Sequence, residues 1–347
     1  MSGTPPGLRG YAMPAEWTPH AATWIAWPHN AADWPGKFAA IPWAYGEFVR
    51  VLHRYDRVRI LVGDAGLEAK ARRVLTKTGV DLSRVDFVRQ ATDRVWTRDS
   101  GAIFVKNEKG RRIATHWKFN GWAKYPNHAK DDRVPTAMAK KAGVPEYRVQ
   151  AGGRDVVMEG GAIDVDGAGL LMATEECLLD AVQARNPALG RDGTEKVLKE
   201  TLGVSRVVWL GKGIVGDDTH GHIDDLARFF APGKALLCRE KDAKDENYPI
   251  LEENRERLRG ERIEVVDLPM PSPVVFDGQR VPASYANFYV ATGAVIVPTF
   301  NDPRDRFALG VIADCFPGRD VIGVSCVDFI WGLGTLHCAT QQEPEGL

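Results

Sequence analysis

An α/β fold of five repeated units, closing on itself, is what this sequence predicts, and two observations carry the prediction. Turn signals flanked by strand-like runs recur at Glu108-Lys-Gly110, Asp166-Gly167, Pro232-Gly233 and Thr292-Gly293. Each is followed by a helical stretch and one more apolar run, a period long enough for a repeat architecture. The second observation is that polar clusters fall in equivalent loops. Asp99, Glu159 and His222 lie 60 and 63 residues apart. In a ring, equivalent loops converge on one axis, and loops on a rigid scaffold are where function concentrates. Closure would also remove the exposed edges that an open array leaves.

Residues 1–20 read as a Pro-rich lead-in. The run 22–27 is rich in aromatic and β-branched residues and reads as a strand. Between Trp34 and Tyr55, Phe48, Val51, Leu52 and Tyr55 recur at helical spacing. The first unit is then 22–27 paired as a hairpin with 57–62, a helix over 67–78 stopped by Gly79, and a strand over 85–88. The second is the hairpin 101–105 with 112–117, a helix over 132–142 and a strand over 146–150. The third is 161–165 with 169–174, a helix over 191–202 and a strand over 206–210. The fourth is 226–231 with 234–239, a helix over 246–259 and a strand over 262–268. The fifth is 286–291 with 294–299, a helix over 303–315 and a strand over 320–325.

Composition excludes several classes. The 347 residues carry 45 Lys+Arg against 46 Asp+Glu, a formal charge of −1, so no basic balance points to nucleic acid or to an anionic membrane. Hydrophobic content of 44% and charged content of 26% are ordinary for a globular protein. No signal peptide is visible, and no run reaches the roughly 18 apolar residues of a membrane span. Five cysteines without a C-x-x-C suggest neither a disulfide framework nor a zinc knuckle. A reduced, cytoplasmic protein is expected.

The last unit ends in Trp331-Gly-Leu-Gly-Thr-Leu-His337-Cys338. Glycines just before a cysteine let backbone pack tightly and aim the side chain into a cavity. Cys338 alone reads more readily as a buried structural thiol than as a nucleophile. What favours the nucleophile is the set of distant partners: Trp96-Thr-Arg-Asp99, Glu159-Gly-Gly161 and His220-Gly-His222-Ile-Asp224. Taken singly, each has a plain structural alternative. Asp99 could pair with Arg98, Glu159 could cap a turn, and His222 and Asp224 could share a strand face.

One thiol, one histidine and three carboxylates around one cavity suit a planar cation. A guanidinium presents its N–H groups in a fork that carboxylates accept. Two aspartates would hold it and leave its central carbon open to a thiolate. Its charge would lower the pKa of the nearby cysteine. His222 could protonate departing ammonia and then activate water, with Glu159 orienting the imidazole.

Over nearly the whole chain these residues resemble the agmatine deiminases of the guanidino-modifying (pentein) superfamily. The resemblance rests on Met13-Pro-Ala-Glu-Trp17, Thr23-Trp-Ile-Ala-Trp-Pro-His29, Trp96-Thr-Arg-Asp99, Glu159-Gly-Gly161, Gly216-Asp-Asp-Thr-His-Gly-His-Ile-Asp224, Ser284-Tyr-Ala-Asn-Phe-Tyr289 and His337-Cys-Ala-Thr-Gln-Gln-Glu-Pro344. It implies a five-bladed pseudo-symmetric α/β propeller, one catalytic domain over residues 1–347. It also implies hydrolysis of agmatine to N-carbamoylputrescine and ammonia through a covalent Cys-thiouronium intermediate, with no metal and no organic cofactor. Cys338 would be the nucleophile, His222 the general acid/base, Asp99 and Asp224 the clamp, and Glu159 a further carboxylate partner. Trp96 and Tyr285, in the same loops, complete the expected substrate-binding set. The expected partner is a small guanidino compound, with no nucleic acid and no membrane; self-association is left open.

Three departures concern the substrate's tail. Asp164 stands where the family pattern has His, Gly332-Leu-Gly-Thr replaces Gly-Gly-Gly-Asn, and His220 replaces Asn. Other readings of the same residues are a deiminase for peptidyl-arginine or another arginine derivative, an amidinotransferase, a catalytically silent binding protein, and a metal hydrolase using His220, His222 and Asp224.

Overall fold

The computed structural model describes residues 3–346. Its strands form five sheets of three or four, with two short ribbons. In the second to fifth sheets a hairpin is followed by a helix and a third strand lying parallel to the hairpin's second strand. The second sheet joins Ile103–Asn107, Arg112–His116 and Glu146–Arg148, with Tyr11–Ala12 added at its edge. The third joins Asp164–Val165, Leu170–Thr174 and Arg206–Leu210, the fourth Ala227–Ala231, Lys234–Arg239 and Glu264–Pro269. The fifth joins Tyr289–Ala291, Ala294–Thr299 and Asp320–Ser325. Helices Val134–Ala142, Gly190–Leu202, Asn247–Gly260 and Asp305–Cys315 make the crossovers. A parallel third strand requires such a crossover, because the chain must return to the starting end of the sheet.

The first sheet departs from the expected hairpin. His20–Ala26 and Val58–Val62 are parallel, because helix Ile41–Leu52 carries the chain back between them. The antiparallel mate of His20–Ala26 is Gln341–Pro344, so both ends of the chain meet in one sheet. That last strand is polar yet buried. Glu343 accepts hydrogen bonds from Trp24 Nε1 at 2.9 Å and Arg112 at 2.7 Å, and it also pairs with Arg59. Arg98 donates to Gln342 at 2.6 Å, and Gln341 donates to the Ala102 carbonyl at 2.9 Å. Buried polar groups persist when they find partners, and here the partners come from the first two sheets and from the segment 98–102 that joins them, with Gln341 Oε1 left without one.

One apolar cluster runs from Trp24 and Ile60 through Leu236 to Ile296; another, under the second and third sheets, holds Val105, Ile163 and Leu198. Among the described residues, no helix is long and apolar enough to cross a membrane.

Candidate active site

The polar clusters of the sequence converge. Asp99 sits on the short helix Thr97–Ser100. Thr97 Oγ1 ties that turn to the carbonyls of Trp24 and Ala339, and the Arg98 N–H donates to the Cys338 carbonyl. The Asp99 and Cys338 loops are therefore fastened to each other. Arg98 does not pair with Asp99; its guanidinium turns to Gln342 and to Glu16 at 3.2 Å. Asp99 instead accepts from Trp122 Nε1 at 2.9 Å and from the Gly161 N–H at 3.1 Å.

The two glycines after Glu159 are explained by space. A Cβ on Gly160 would lie 2.3 Å from the Arg98 carbonyl oxygen. On Gly161 it would lie 2.6 Å from His222 Nδ1 and 2.8 Å from Asp99 Oδ1, closer than real contacts allow. Glu159 itself accepts from Arg185 Nε at 3.1 and 3.3 Å and lies 3.9 Å from His222 Nε2.

His222 is fully buried among carboxylates. Its Nδ1 is 3.7 Å from Asp99 and 3.9 Å from Asp224. Its backbone N–H donates to Asp217 at 2.8 Å, which fixes the loop. Neither ring nitrogen makes a close hydrogen bond within the protein. Burial would lower its pKa, but Asp99, Cys177 and Glu159 outweigh burial and hold the imidazole well above its ordinary value. Asp99 behaves oppositely: burial, with Asp224 and Glu159, pushes its carboxyl up to about 6 against the pull of His222.

Cys338 lies 3.7 Å from Asp224 and takes an N–H from Asn287 at 3.1 Å. Burial, then Asp224, Asp225 and Asp99, raises its thiol well above the ordinary value. Cys338 ends a cleft of about 210 Å³ whose inner wall includes Trp96, Asp99, Trp122 and Gly334. A Cβ on Gly334 would meet Trp96 at 2.8 Å and Cys338 Cβ at 3.1 Å, so the glycine lets the thiol loop approach that ring. The lining also includes Asp33, Arg94, Tyr125 and Asp218. Asp33 pairs with Arg94 at 2.6 Å; Asp218 accepts from the Tyr125 hydroxyl at 2.6 Å and pairs with Lys124.

Cys338, His222, Glu159, Asp99 and Asp224 are thus brought together, with Trp96 on the cleft wall. Tyr285 is not: its hydroxyl donates to Asp305 at 2.7 Å and its ring lies against Phe300, off the cleft. From that loop Asn287 reaches the thiol instead. Asn287 lies in a loop the residue patterns had marked; Trp122 and Arg185 are contributors they did not single out. Asp164 is also off the cleft, where it accepts from the Phe229 N–H beside Arg228, and burial pushes it up to about 7.

Among the described residues, His220 does not join His222 and Asp224 in a set within reach of one ion; two other trios do, Glu159–Cys177–His222 and Asp224–Asp225–Cys338. In the first, Arg185 already places a cation on Glu159. In the second, Asp225 accepts from Asn287 and Asp224 from His337. Each trio therefore has at least one carboxylate already held within the protein.

Residues 12–344 match the model of the Porphyromonas-type peptidyl-arginine deiminases. The chain is 34% identical to an agmatine deiminase of Stutzerimonas stutzeri over 98% of its length and 97% of the relative's. It superposes on an agmatine deiminase of Enterococcus faecalis with a TM-score of 0.92, 29% identity and coverage of 100% and 99% of the two chains. A C. jejuni agmatine deiminase solved with substrate bound gives 0.87, 29%, and 97% of each chain. With sequence and structural likeness running the length of the chain, this protein belongs to the agmatine deiminase family, within the span of the Porphyromonas-type peptidyl-arginine deiminase model.

Proposed function

We propose that this protein hydrolyses agmatine to N-carbamoylputrescine and ammonia. The observation that carries the reading is one thiol at the end of a small cleft, set against an imidazole ringed by Asp99, Glu159 and Asp224. The similarity to agmatine deiminases supports the substrate. In this reading residues 1–347 act as one catalytic domain, and its five sheets are the blades of a five-bladed propeller around the site. The five cysteines, all free thiols, suit a reducing cytoplasm.

The guanidinium enters between Asp99 and Asp224 and brings the positive charge the site lacks. That charge opposes the carboxylates that hold the Cys338 thiol protonated, and the thiol loses its proton to solvent. The thiolate attacks the guanidinium carbon to give a tetrahedral adduct. His222, which enters protonated, gives its proton to one –NH₂, and the C–N bond breaks to release ammonia. A Cys-thiouronium adduct remains. The now neutral His222 takes a proton from water as the water adds to that carbon. The C–S bond then breaks as the adduct's hydroxyl loses its proton to solvent, which returns the thiolate and releases the neutral substituted urea.

Agmatine's other end is an ammonium, and Asp33 and Asp218 of the cleft lining are its acceptors in this reading. The alternative, peptidyl-arginine or another arginine derivative, rests on the description of the matching family model. Ammonia release measured side by side on agmatine, arginine, peptidyl-arginine and methylated arginines decides between them. We expect turnover of agmatine above the others. Preference for peptidyl-arginine would replace this reading, and no release from any of them would end it.

A further inference from the structure

His337 precedes the thiol in sequence and has no part in the chemistry above, yet it is among the most constrained side chains in the site. Its Nδ1 lies 2.7 Å from Asp224 Oδ2 and its Nε2 lies 2.7 Å from Glu16 Oε2. The imidazole is 2% exposed, Glu16 5% and Asp224 0%. With a carboxylate oxygen at hydrogen-bond distance on both sides, both contacts are hydrogen bonds to carboxylates only when both ring nitrogens donate.

We propose that His337 is a positioning residue, locked as a double donor between Glu16 and Asp224, which keeps Asp224 ionised and turned toward the guanidinium, and that Glu16 is what locks His337. The proposal rests on the reading of Asp224 as a guanidinium ligand.

Three features support it. First, Glu16 is built to stay charged. Its Oε1 accepts the Val290 N–H at 2.8 Å and faces Arg228 at 3.0 Å; its Oε2 faces Arg98 at 3.2 Å as well as His337. Burial opposes its ionisation, but Arg228, His337 and Arg98 together hold it well below the ordinary range. Second, Asp224 has the same balance. Burial would raise it, and the hydrogen bond and charge of His337, followed by His222 and Arg228, bring it below the ordinary range. Asp225 beside it has Asn287 rather than an imidazole at hydrogen-bond distance, and burial, Asp224 and Asp217 raise it against the pull of His222. Third, the backbone of His337 is fixed independently. Its N–H donates to Asn287, and Arg98 Nε donates to its carbonyl at 3.3 Å. The ring therefore cannot follow Asp224 if Asp224 swings away; it holds the carboxylate in one place.

The arrangement gives Met13-Pro-Ala-Glu-Trp17 a role. This segment of the lead-in delivers a carboxylate behind the site, three hydrogen bonds from the substrate in this reading. The charged groups around His337 are Glu16, Asp224, Arg98 and Arg228, with the titratable Cys338 thiol next to it in sequence, and the two carboxylates are the groups that touch its ring.

The test has two arms. In the first, ¹⁵N-histidine spectra of the substrate-free protein at pH 8 are recorded, with the His337 signals identified by their loss in His337→Gln. We expect both ring nitrogens at protonated positions in the wild type, and a neutral tautomer in Glu16→Gln. A neutral His337 in the wild type overturns the proposal. In the second arm, kcat/KM on agmatine is measured alongside Tm. We expect His337→Gln and Glu16→Gln each to lose roughly ten- to a hundredfold, the size of one hydrogen bond to a charged group. We also expect Glu16→Asp to recover part of that loss. Values within twofold of wild type in folded His337→Gln overturn the proposal. A wild type inactive on every guanidine refutes the reading of the function instead, and the nitrogen spectra still decide whether the double donor exists.

Discussion

The Asn287 side chain donates an N–H to Cys338 Sγ at 3.1 Å while its own carbonyl oxygen accepts from Thr335 Oγ1 at 2.6 Å and from the His337 N–H at 3.1 Å. The amide therefore organises the nucleophile loop from one side and places a neutral donor on the sulfur from the other. Asp224, Asp225 and Asp99 all disfavour a thiolate; this contact joins a backbone hydrogen bond at Thr335 in favouring one.

Asn287→Ala should accordingly lower kcat/KM by tenfold or more, since a single hydrogen bond to a charged group is worth about 1.5–3 kcal/mol. The same variant should react more slowly with iodoacetamide at fixed pH, because less thiolate is present. An alkylation rate equal to that of the wild type would mean that Asn287 acts on the loop alone.

Cys338→Ala should abolish turnover and still bind agmatine at least as tightly as the wild type. The thiol is protonated in the free protein, so productive binding to the wild type must expel its proton; the alanine variant has none to expel. Calorimetric titration in buffers of different ionisation enthalpy measures both affinity and proton release. Ammonia release by the alanine variant would remove the covalent step.

Gly161→Ala should cost at least a hundredfold in activity, on the order of the loss from a reacting geometry displaced by 1 Å. The added methyl would meet His222, Asp99 and Asp224 at once. Gly310→Ala is the contrast. That glycine is exposed in helix Asp305–Cys315 with open space around it, so alanine there should stabilise the protein by about 0.5–1 kcal/mol and leave kinetics unchanged. Activity lost equally in both variants would show that glycine replacement acts through the fold as a whole.

The repeat was legible because hairpin turns and helix stops are written in local chemistry. Gly167 and Gly233 turn between strands at φ +70° and +68°, and Gly143 and Gly203 end helices at +68°. What local chemistry does not record is which distant strand a segment joins. The helical spacing of Phe48, Leu52 and their neighbours lies between strands 20–26 and 58–62, and such a helix is a crossover, so the two strands had to be parallel. The antiparallel mate of 20–26, Gln341–Pro344, lacks apolar alternation, and its polar side chains meet Arg98, Arg59, Arg112 and Trp24 from elsewhere. Within the site, the loops were legible but not the facing residue of each. Tyr285 and Asn287 share one loop, and the aromatic side chain packs outward on Phe300 while the amide turns in. Arg185 carried no signal, since nothing near it in sequence marks it as the partner of Glu159.

The raised carboxyl of Asp99 makes the last prediction, and the sign decides it. Burial pushes this group up to about 6, so Asp99 is an anion above pH 6 and neutral below. The guanidinium needs the anion. The value of kcat/KM reports the free protein and free substrate. Near neutrality the free protein holds Asp99 ionised, His222 protonated and Cys338 as the thiol; the productive form differs by one proton, the thiol's. The logarithm of kcat/KM should therefore rise with pH at a slope of about one. Below about pH 6 Asp99 must also lose a proton, and the slope should steepen to about two. Asp99→Asn removes that group, so the steepening should vanish. The overall rate should also fall by about two orders of magnitude, because the amide offers a donor to a substrate that has only donors. The ordinary alternative, an Asp99 held only for stability, predicts a lower Tm and an unbroken slope in the wild type. Rates on agmatine between pH 5 and 8 for both proteins, taken with their melting temperatures, separate the two. A wild-type slope that stays at one through pH 6 would take the Asp99 carboxylate out of the productive complex.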